Sequence, residues 1–302
     1  MSNEPPSTKA GTTDQTFQRA LAFHKDGRLQ TADRLYRDVL ATDHRHFDAL
    51  LYLGVLRLQQ DDAEEAAALI RRALAENPES AEAHANLASV LQALGHPDEA
   101  IACYERALVL NPGFAEASHG LAATLQTLER YDEAIRRYEA AIALKPGFAE
   151  ASYGLATTLQ TLERYDEAIK QYEASLAIDP DYAEASCGLT TVLQALGRHD
   201  EAVACYQSAL ADDPDYVEAS RGLAITLDAL KRHEEAIAHY RAALTVEPDH
   251  AETLNNLGNA LQGQERYAEA IDCYESAVAL CQEGARAPCC TRDEGRPFGA
   301  VL

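Results

Sequence analysis

The side chains in this 302-residue chain best suited to catalysis or metal binding are ten histidines and seven cysteines. The histidines are His24, His44, His46, His84, His96, His119, His199, His233, His239 and His250, scattered without the short spacings of a zinc site. Only Asp43, His44, His46 and Asp48 cluster locally, and they sit in a junction between repeats. Cys289 and Cys290 are adjacent, a pair that could bind metal or oxidise but that lacks companions. An odd cysteine count without paired spacing argues against a disulfide framework and fits a reducing compartment. No glycine-rich phosphate loop, Ser-His-Asp set or nucleophile elbow is present. The expectation is no catalytic residue, no metal and no cofactor.

The elements that would position any site are set by a proline ruler. Pro78, Pro112, Pro146, Pro180, Pro214 and Pro248 are each 34 residues apart, which indicates a stack of one supersecondary unit. Residues 115–148 and 149–182 match at 24 of 34 positions. With proline at position 32, repeats begin at 47, 81, 115, 149, 183, 217 and 251. Position 7 is then always leucine, from Leu53 to Leu257, and position 20 always alanine, from Ala66 to Ala270. Position 8 is small (Gly54, Ala88, Ala122, Ala156, Thr190, Ala224, Gly258), and position 24 is Ile70 followed by six tyrosines.

Positions 4, 7, 8 and 11 share one face of a first helix, and 20, 24 and 27 one face of a second. Small residues at 8 and 20 let the two backbones approach while Leu and Tyr fill the space around them. Asp or Glu recurs at 18 and 19, where a helix N-terminus favours negative charge. Proline at 32 cannot continue the second helix. A single pair cannot bury both apolar faces, so each needs its neighbour.

These residues resemble the tetratricopeptide repeat, here of the bacterial type, whose pattern has L-G at 7 and 8, A at 20, F at 24 and P at 32. The family's Trp at position 4 is replaced by Leu, His or Ser, and its Tyr at 11 by Leu in most repeats. The resemblance implies an all-α, right-handed superhelical solenoid of eight helix-turn-helix units. A weaker first repeat keeps Ala20, Gly27, Ala32 and Tyr36 in register. The expected array is 13–46, 47–80, 81–114, 115–148, 149–182, 183–216, 217–250 and 251–284. Residues 1–12 read as a disordered leader and 285–302 as an irregular tail without a capping helix. Solenoids normally end in a cap, so the sequence further predicts a truncated array or self-association through the uncapped last repeat.

Positions 2, 5, 6, 9, 12 and 13 form the opposite stripe of the first helix, which in the resembled family lines a concave groove for peptides or partner helices. Position 2 is acidic throughout, and position 12 is Gln92, Gln126, Gln160, Gln194 and Gln262, with Leu58 and Asp228 as exceptions. Position 5 varies most and includes His119, Tyr153 and Arg221. A constant polar ladder beside one variable column suits backbone recognition with local selectivity. Glutamines that merely suit a solvated helix, and acids that merely favour helix starts, would give the same pattern.

Chaperone-binding members of the family grip a carboxylate with Lys and Asn on this stripe; positions 2, 5, 9 and 12 carry no Lys here. The run from Ala81 to Gln92 is similar to repeats of protein O-linked N-acetylglucosamine transferases, where an Asn ladder at position 6 holds the substrate backbone. Only Asn86 and Asn256 match it, and Gly120, Gly154, Gly188, Gly222 and Tyr52 fill the other rungs. The expected groove residues are therefore Asn86, Gln92, His119, Gln126, Tyr153, Gln160, Gln194, Arg221, Asn256 and Gln262. The expected function is a non-catalytic scaffold or adaptor with a protein or peptide partner. The alternative is the substrate-recognition arm of such a glycosyltransferase lacking its catalytic domain.

The net charge of −23 argues against nucleic acid and anionic membranes. Of the 49 carboxylates, 20 fall at positions 2, 18 and 19 of the last seven repeats, so much of the charge is helix-start chemistry copied many times. The start of the chain lacks the apolar core of a secretory signal, and no apolar run is long enough to span a membrane. The expected location is cytoplasmic.

Overall fold

A computed structural model describes residues 6–286, and all regular structure among them is helical. Eight helices form one compact unit. They are α1 (Pro6–Lys25), α2 (Leu29–Thr42), α3 (Phe47–Gln59), α4 (Ala63–Glu76), α5 (Ala81–Ala93), α6 (Pro97–Leu110), α7 (Ala115–Thr127) and α8 (Tyr131–Leu144). A second unit holds α9 (Ala149–Thr161), α10 (Tyr165–Ile178), α11 (Ala183–Ala195), α12 (His199–Asp212), α13 (Val217–Ala229), α14 (His233–Val246), α15 (Ala251–Gly263) and α16 (Tyr267–Arg286). Within each unit, odd-numbered helices pack on the even-numbered helix that follows and on the next odd-numbered one, as a stack of repeated pairs requires.

One turn chemistry closes every first helix. Position 15 is left-handed in all eight repeats: Gly27, Gly95 and Gly197 at φ 70–74°, and Asp61, Glu129, Glu163, Lys231 and Glu265 at φ 57–61°. The amide at position 16 then donates back to the carbonyl at position 11, as in Arg164 to Leu159 at 2.9 Å, satisfying a carbonyl that the helix end would leave open. The second helix ends as proline demands. Residues at position 31, such as Asn111 and Asp179, are extended and donate to the carbonyl at position 27.

The core is the predicted one. Ala100, Ala134, Ala168 and Ala202 are fully buried, as are Ala88, Ala122 and Ala156, and Leu121 and Leu223 are buried as well. At Gly54 an added Cβ would meet Ile70 Cγ1 at 2.6 Å, so position 8 is small because position 24 of the same repeat fills the space. Buried Ser175 donates from Oγ to the Ala149 carbonyl at 2.9 Å, tying the second helix of its repeat to the start of the first.

The edges differ from expectation. Helix α1 begins at Pro6, so residues 6–12 of the expected leader are helical; proline is well suited to a helix's first turn. Helix α16 runs to Arg286, two residues past the expected end of the array. The rest of the expected tail, with Cys289 and Cys290, lies outside the described residues. Position 21 is 3–8% exposed at Ile101, Ile135, Ile169, Val203 and Ile237 but 53% exposed at Ile271 on α16. No helix among the described residues is long and apolar enough to cross a membrane.

Candidate binding groove

Successive first helices of the second unit bring the predicted stripe to one concavity. A cavity of about 950 Å³ is lined by Tyr153, Thr157, Gln160 and Thr161 of α9 and by Glu184, Cys187, Thr191 and Ala195 of α11. These are positions 2, 5, 9, 12 and 13. Tyr216 and Glu218, at the start of α13, complete the rim. A smaller cavity of about 290 Å³ continues the pattern one repeat on, with Gln194, Arg221 and Asn256 in its wall. A third, of about 570 Å³, is lined instead by Leu176, Cys205, Ser208 and the loop at Pro180, a site that the stripe pattern gave no reason to expect.

The position-12 glutamines have a structural task. Each accepts from the hydroxyl of the position-24 tyrosine of its own repeat: Gln92 from Tyr104 at 2.7 Å, Gln126 from Tyr138 at 2.9 Å, Gln160 from Tyr172 at 2.5 Å and Gln262 from Tyr274 at 3.2 Å. The pair spans the two helices and satisfies a phenol that burial would otherwise strand. In the first repeat His24 takes the glutamine's place, with Nδ1 3.1 Å from the Tyr36 hydroxyl and Nε2 2.9 Å from Gln59. Where position 24 is Ile70, position 12 is Leu58 and the polar pair is replaced by an apolar one. Gln194 departs from the rule and donates to Thr226 and, at 3.5 Å, to the Gly222 carbonyl of the next repeat. The reading of these residues as merely solvated is thus corrected at the half-buried Gln92, Gln126 and Gln160, whose oxygens are committed inward, whereas Gln262 is exposed and Tyr274 has Asn259 closer, at 2.8 Å.

Three glycines at position 6 are explained by position-24 tyrosines. A Cβ on Gly120 would lie 2.5 Å from Tyr104, on Gly188 2.4 Å from Tyr172 and on Gly222 2.2 Å from Tyr206. At these three junctions the ring of one repeat presses on the first helix of the next and leaves room for glycine, although glycine within a helix costs roughly 1 kcal/mol against alanine. The rule does not extend to every repeat: Tyr52 follows Tyr36 and Asn256 follows Tyr240. At these three glycines the rung of an asparagine ladder is already taken by a phenol.

The other predicted residues are distributed as follows. His119 is half-buried with its ring 5.7 Å from that of Tyr138. Tyr153 is half-buried between Tyr182, at 5.1 Å, and Tyr172, at 6.1 Å. Arg221 is held by Glu218 at 3.3 Å and Glu247 at 2.7 Å. Asn86 carries a buried Nδ2 without a hydrogen-bond partner. In the second repeat the stripe is closed: Leu51, Val55 and Leu58 are 1%, 2% and 8% exposed, with α1 packed on α3. The histidines of the 43–48 segment have structural contacts: His46 Nδ1 accepts from the Ala49 amide to cap α3, and Arg72 donates to the His44 carbonyl.

Electrostatics vary along the stripe. Burial and then Glu82 push the Tyr52 hydroxyl up to about 12, and that hydroxyl donates to Glu82 at 3.1 Å. Burial raises Glu116, but Lys145, 2.9 Å away, outweighs it and holds this carboxyl below its ordinary value. Cys103, Cys205 and Cys273, at position 23 of their second helices, are pushed up chiefly by burial, which keeps them as thiols. Glu133, Glu167, Glu201, Glu235 and Glu269 are each paired with the arginine three residues before, at the start of the second helix.

Comparison with known proteins places this geometry. No curated protein matches. Among solved structures the chain is similar to YrrB, described as a TPR protein with an unusual peptide-binding site, at 26% identity over 62% of this chain and 97% of that one, TM-score 0.52. It is also similar to pilF of Pseudomonas aeruginosa, at 23% identity over 74% of this chain and 97% of that one, TM-score 0.58. A third likeness, to MamA, is 27% identical over 55% of this chain and 96% of that one, TM-score 0.49. Family models described as tetratricopeptide repeat match residues 17–81 and 189–249, 57–125, 117–150, 147–214 and 251–283. Together these cover the array almost from end to end, and the chain belongs to the tetratricopeptide repeat family.

Proposed function

We propose that this protein is a non-catalytic adaptor that holds an extended peptide segment of a partner protein in the groove lined by α9, α11 and α13. The observation that carries this reading is the cavity of about 950 Å³ whose wall is built from positions 2, 5, 9, 12 and 13 of consecutive first helices. Its size is that of a ligand site, and its wall mixes aromatic faces with a few placed polar groups. The peptide-binding site named for YrrB is consistent with this use of a related stack. Rigid helices carry the wall, so binding requires ordering of the peptide alone. A cytoplasmic location and indifference to nucleic acid belong to the same proposal, the latter because a charge of −23 opposes a phosphate backbone.

The test is selection of a random ten-residue peptide library displayed on phage against the full chain and its Thr191→Trp variant. Thr191 is exposed on the cavity wall, so tryptophan fills the space without entering the core. Peptides retained by the parent and lost by the variant, at unchanged helicity, support the groove. Equal retention by both would place binding elsewhere.

A further inference from the structure

The cavity on α9 and α11 has a chemistry that selects its occupant. Glu184 stands in the first turn of α11 and shares the cavity wall with Tyr153 of α9 and Tyr216 just before α13, while Tyr182, just before α11, backs Tyr153 from outside that wall. The Tyr153 and Tyr182 rings lie 5.1 Å apart, and the Tyr216 hydroxyl lies 3.4 Å from Cys187 Sγ in the same wall. Burial, and after it the negative charge of Glu184, pushes the hydroxyls of Tyr153 and Tyr182 above their ordinary value. At Tyr216 burial comes first, Cys187 next, and Glu184 adds to it. The field of one carboxylate therefore reaches all three rings.

Two other acids of the stripe are answered. Glu116 has Lys145 at 2.9 Å, and Glu218 has Arg221 at 3.3 Å. Among the described residues no cation comes within ion-pair distance of Glu184. Asp48, Glu82, Glu150 and Glu252 share that lack, so what sets Glu184 apart is its place beside Tyr153 and Tyr216 in the cavity wall. Position 31, which supplies Lys145 in the fourth repeat, is Asp179 in the fifth and Asp213 in the sixth, so the neighbouring loops add negative charge where the fourth repeat removes it. Arg221, in the wall of the smaller cavity one repeat on, is spent on Glu218 and Glu247.

We infer that this cavity receives a basic side chain: the extended segment bound in the groove presents a lysine or arginine whose cation sits against Glu184 and the rings of Tyr153 and Tyr216. A carboxylate supplies the charge, and aromatic faces attract a cation through their quadrupole while giving its aliphatic stem an apolar wall. A concave wall strengthens both relative to an open surface, where a lone ion pair contributes little. An acidic segment, or a free C-terminal carboxylate at this point, would be repelled. This inference rests on the groove reading above and adds the chemical class of the ligand.

The same phage library tests it, with the central residue of each selected peptide family scored for Lys and Arg. Glu184→Gln removes the charge from an exposed position and so leaves the fold intact. Glu173→Gln removes an equal charge from the second helix of the preceding repeat, outside the cavity wall, and controls for general attraction to an acidic protein. The expected result is enrichment of Lys or Arg by the parent and by Glu173→Gln, and a loss of about tenfold in retention of those peptides by Glu184→Gln. Selected peptides without basic enrichment, or enrichment that survives Glu184→Gln, would overturn the inference and leave the groove standing. Retention of no peptide by the parent would overturn both.

Discussion

The fourth and fifth repeats are nearly the same sequence used for two different surfaces. Both join position 12 to position 24, through Gln126 and Tyr138 in one and Gln160 and Tyr172 in the other. Both turn through a left-handed glutamate, Glu129 at φ 58° and Glu163 at φ 57°. Both clamp the start of the second helix with an Arg–Glu pair. Inside, the chief change is Ala141 to Ser175, which adds a hydrogen bond to the Ala149 carbonyl; the larger differences face the groove. His119 becomes Tyr153, Phe148 becomes Tyr182, and Lys145, which neutralises Glu116, becomes Asp179. A repeat scaffold holds its internal chemistry constant because each pair must fit the next, while residues facing the groove change without loss of packing. The fourth repeat is thereby left neutralised, and the fifth acidic and aromatic.

Four kinds of substitution would break or sharpen that contrast. The largest effect is expected at the shared scaffold. Gly188→Ala, like Gly120→Ala, drives a Cβ into a buried tyrosine ring, and overpacking of this kind costs about 1–3 kcal/mol. Urea denaturation should show both losses. In a Tyr172→Ile background, which copies the Ile70 of the second repeat, Gly188→Ala should become far less costly. Equal costs in both backgrounds would mean that the ring does not set position 6.

Removing the phenol comes next. Tyr138→Phe and Tyr172→Phe each delete one hydrogen bond to glutamine and should lower stability by about 1 kcal/mol. A marked difference between them would show that the two repeats do not share their internal chemistry. Of similar size but opposite sign, Glu129→Gly and Glu163→Gly should raise stability by about 1 kcal/mol each, because a non-glycine residue at φ near 58° is strained. Thermal melts of the two variants should move upward together.

The smallest stability effect belongs to the difference itself. Lys145→Asp gives the fourth repeat the charge of the fifth. Glu116 is held below its ordinary value of 4.5, so its contribution is full above that value and is lost as pH falls through the lower folded value. Lys145→Asp should flatten that acid limb and cost less than about 1 kcal/mol at neutral pH, since the lysine is exposed and the pair is open to solvent screening. An unchanged acid limb would show that Lys145 does not depress Glu116. The reverse change, Asp179→Lys, should weaken retention of basic peptides by the fifth repeat.

Much of the fold is legible in the sequence because its signals are local or periodic. Proline at position 32, acids at 18 and 19 and alanine at 20 each act within one or two turns, and repetition raises them above chance. The Gln–Tyr pairing was not read, since its partners are 12 residues apart on separate helices. A signal for it exists in the chain: Leu58 stands opposite Ile70, and His24 opposite Tyr36, where the usual pair is absent. No such comparison links glycine at position 6 to the tyrosine of the preceding repeat, since Tyr52 follows Tyr36 and Asn256 follows Tyr240. The leader was read as disordered on composition alone, and the run of α1 from Pro6 departs from it.

By itself the sequence determined the repeat length, the helix pairs, the faces that pack and the stripe that does not. Those follow from backbone geometry and burial, which depend on residue type at fixed spacing. Only the tertiary structure decided which glutamines are committed to buried phenols, that the stripe is closed at Leu51 and Leu58, and that Glu184 lacks the cation given to Glu116. These depend on where side chains from different helices meet in space, and no spacing along the chain contains that distance.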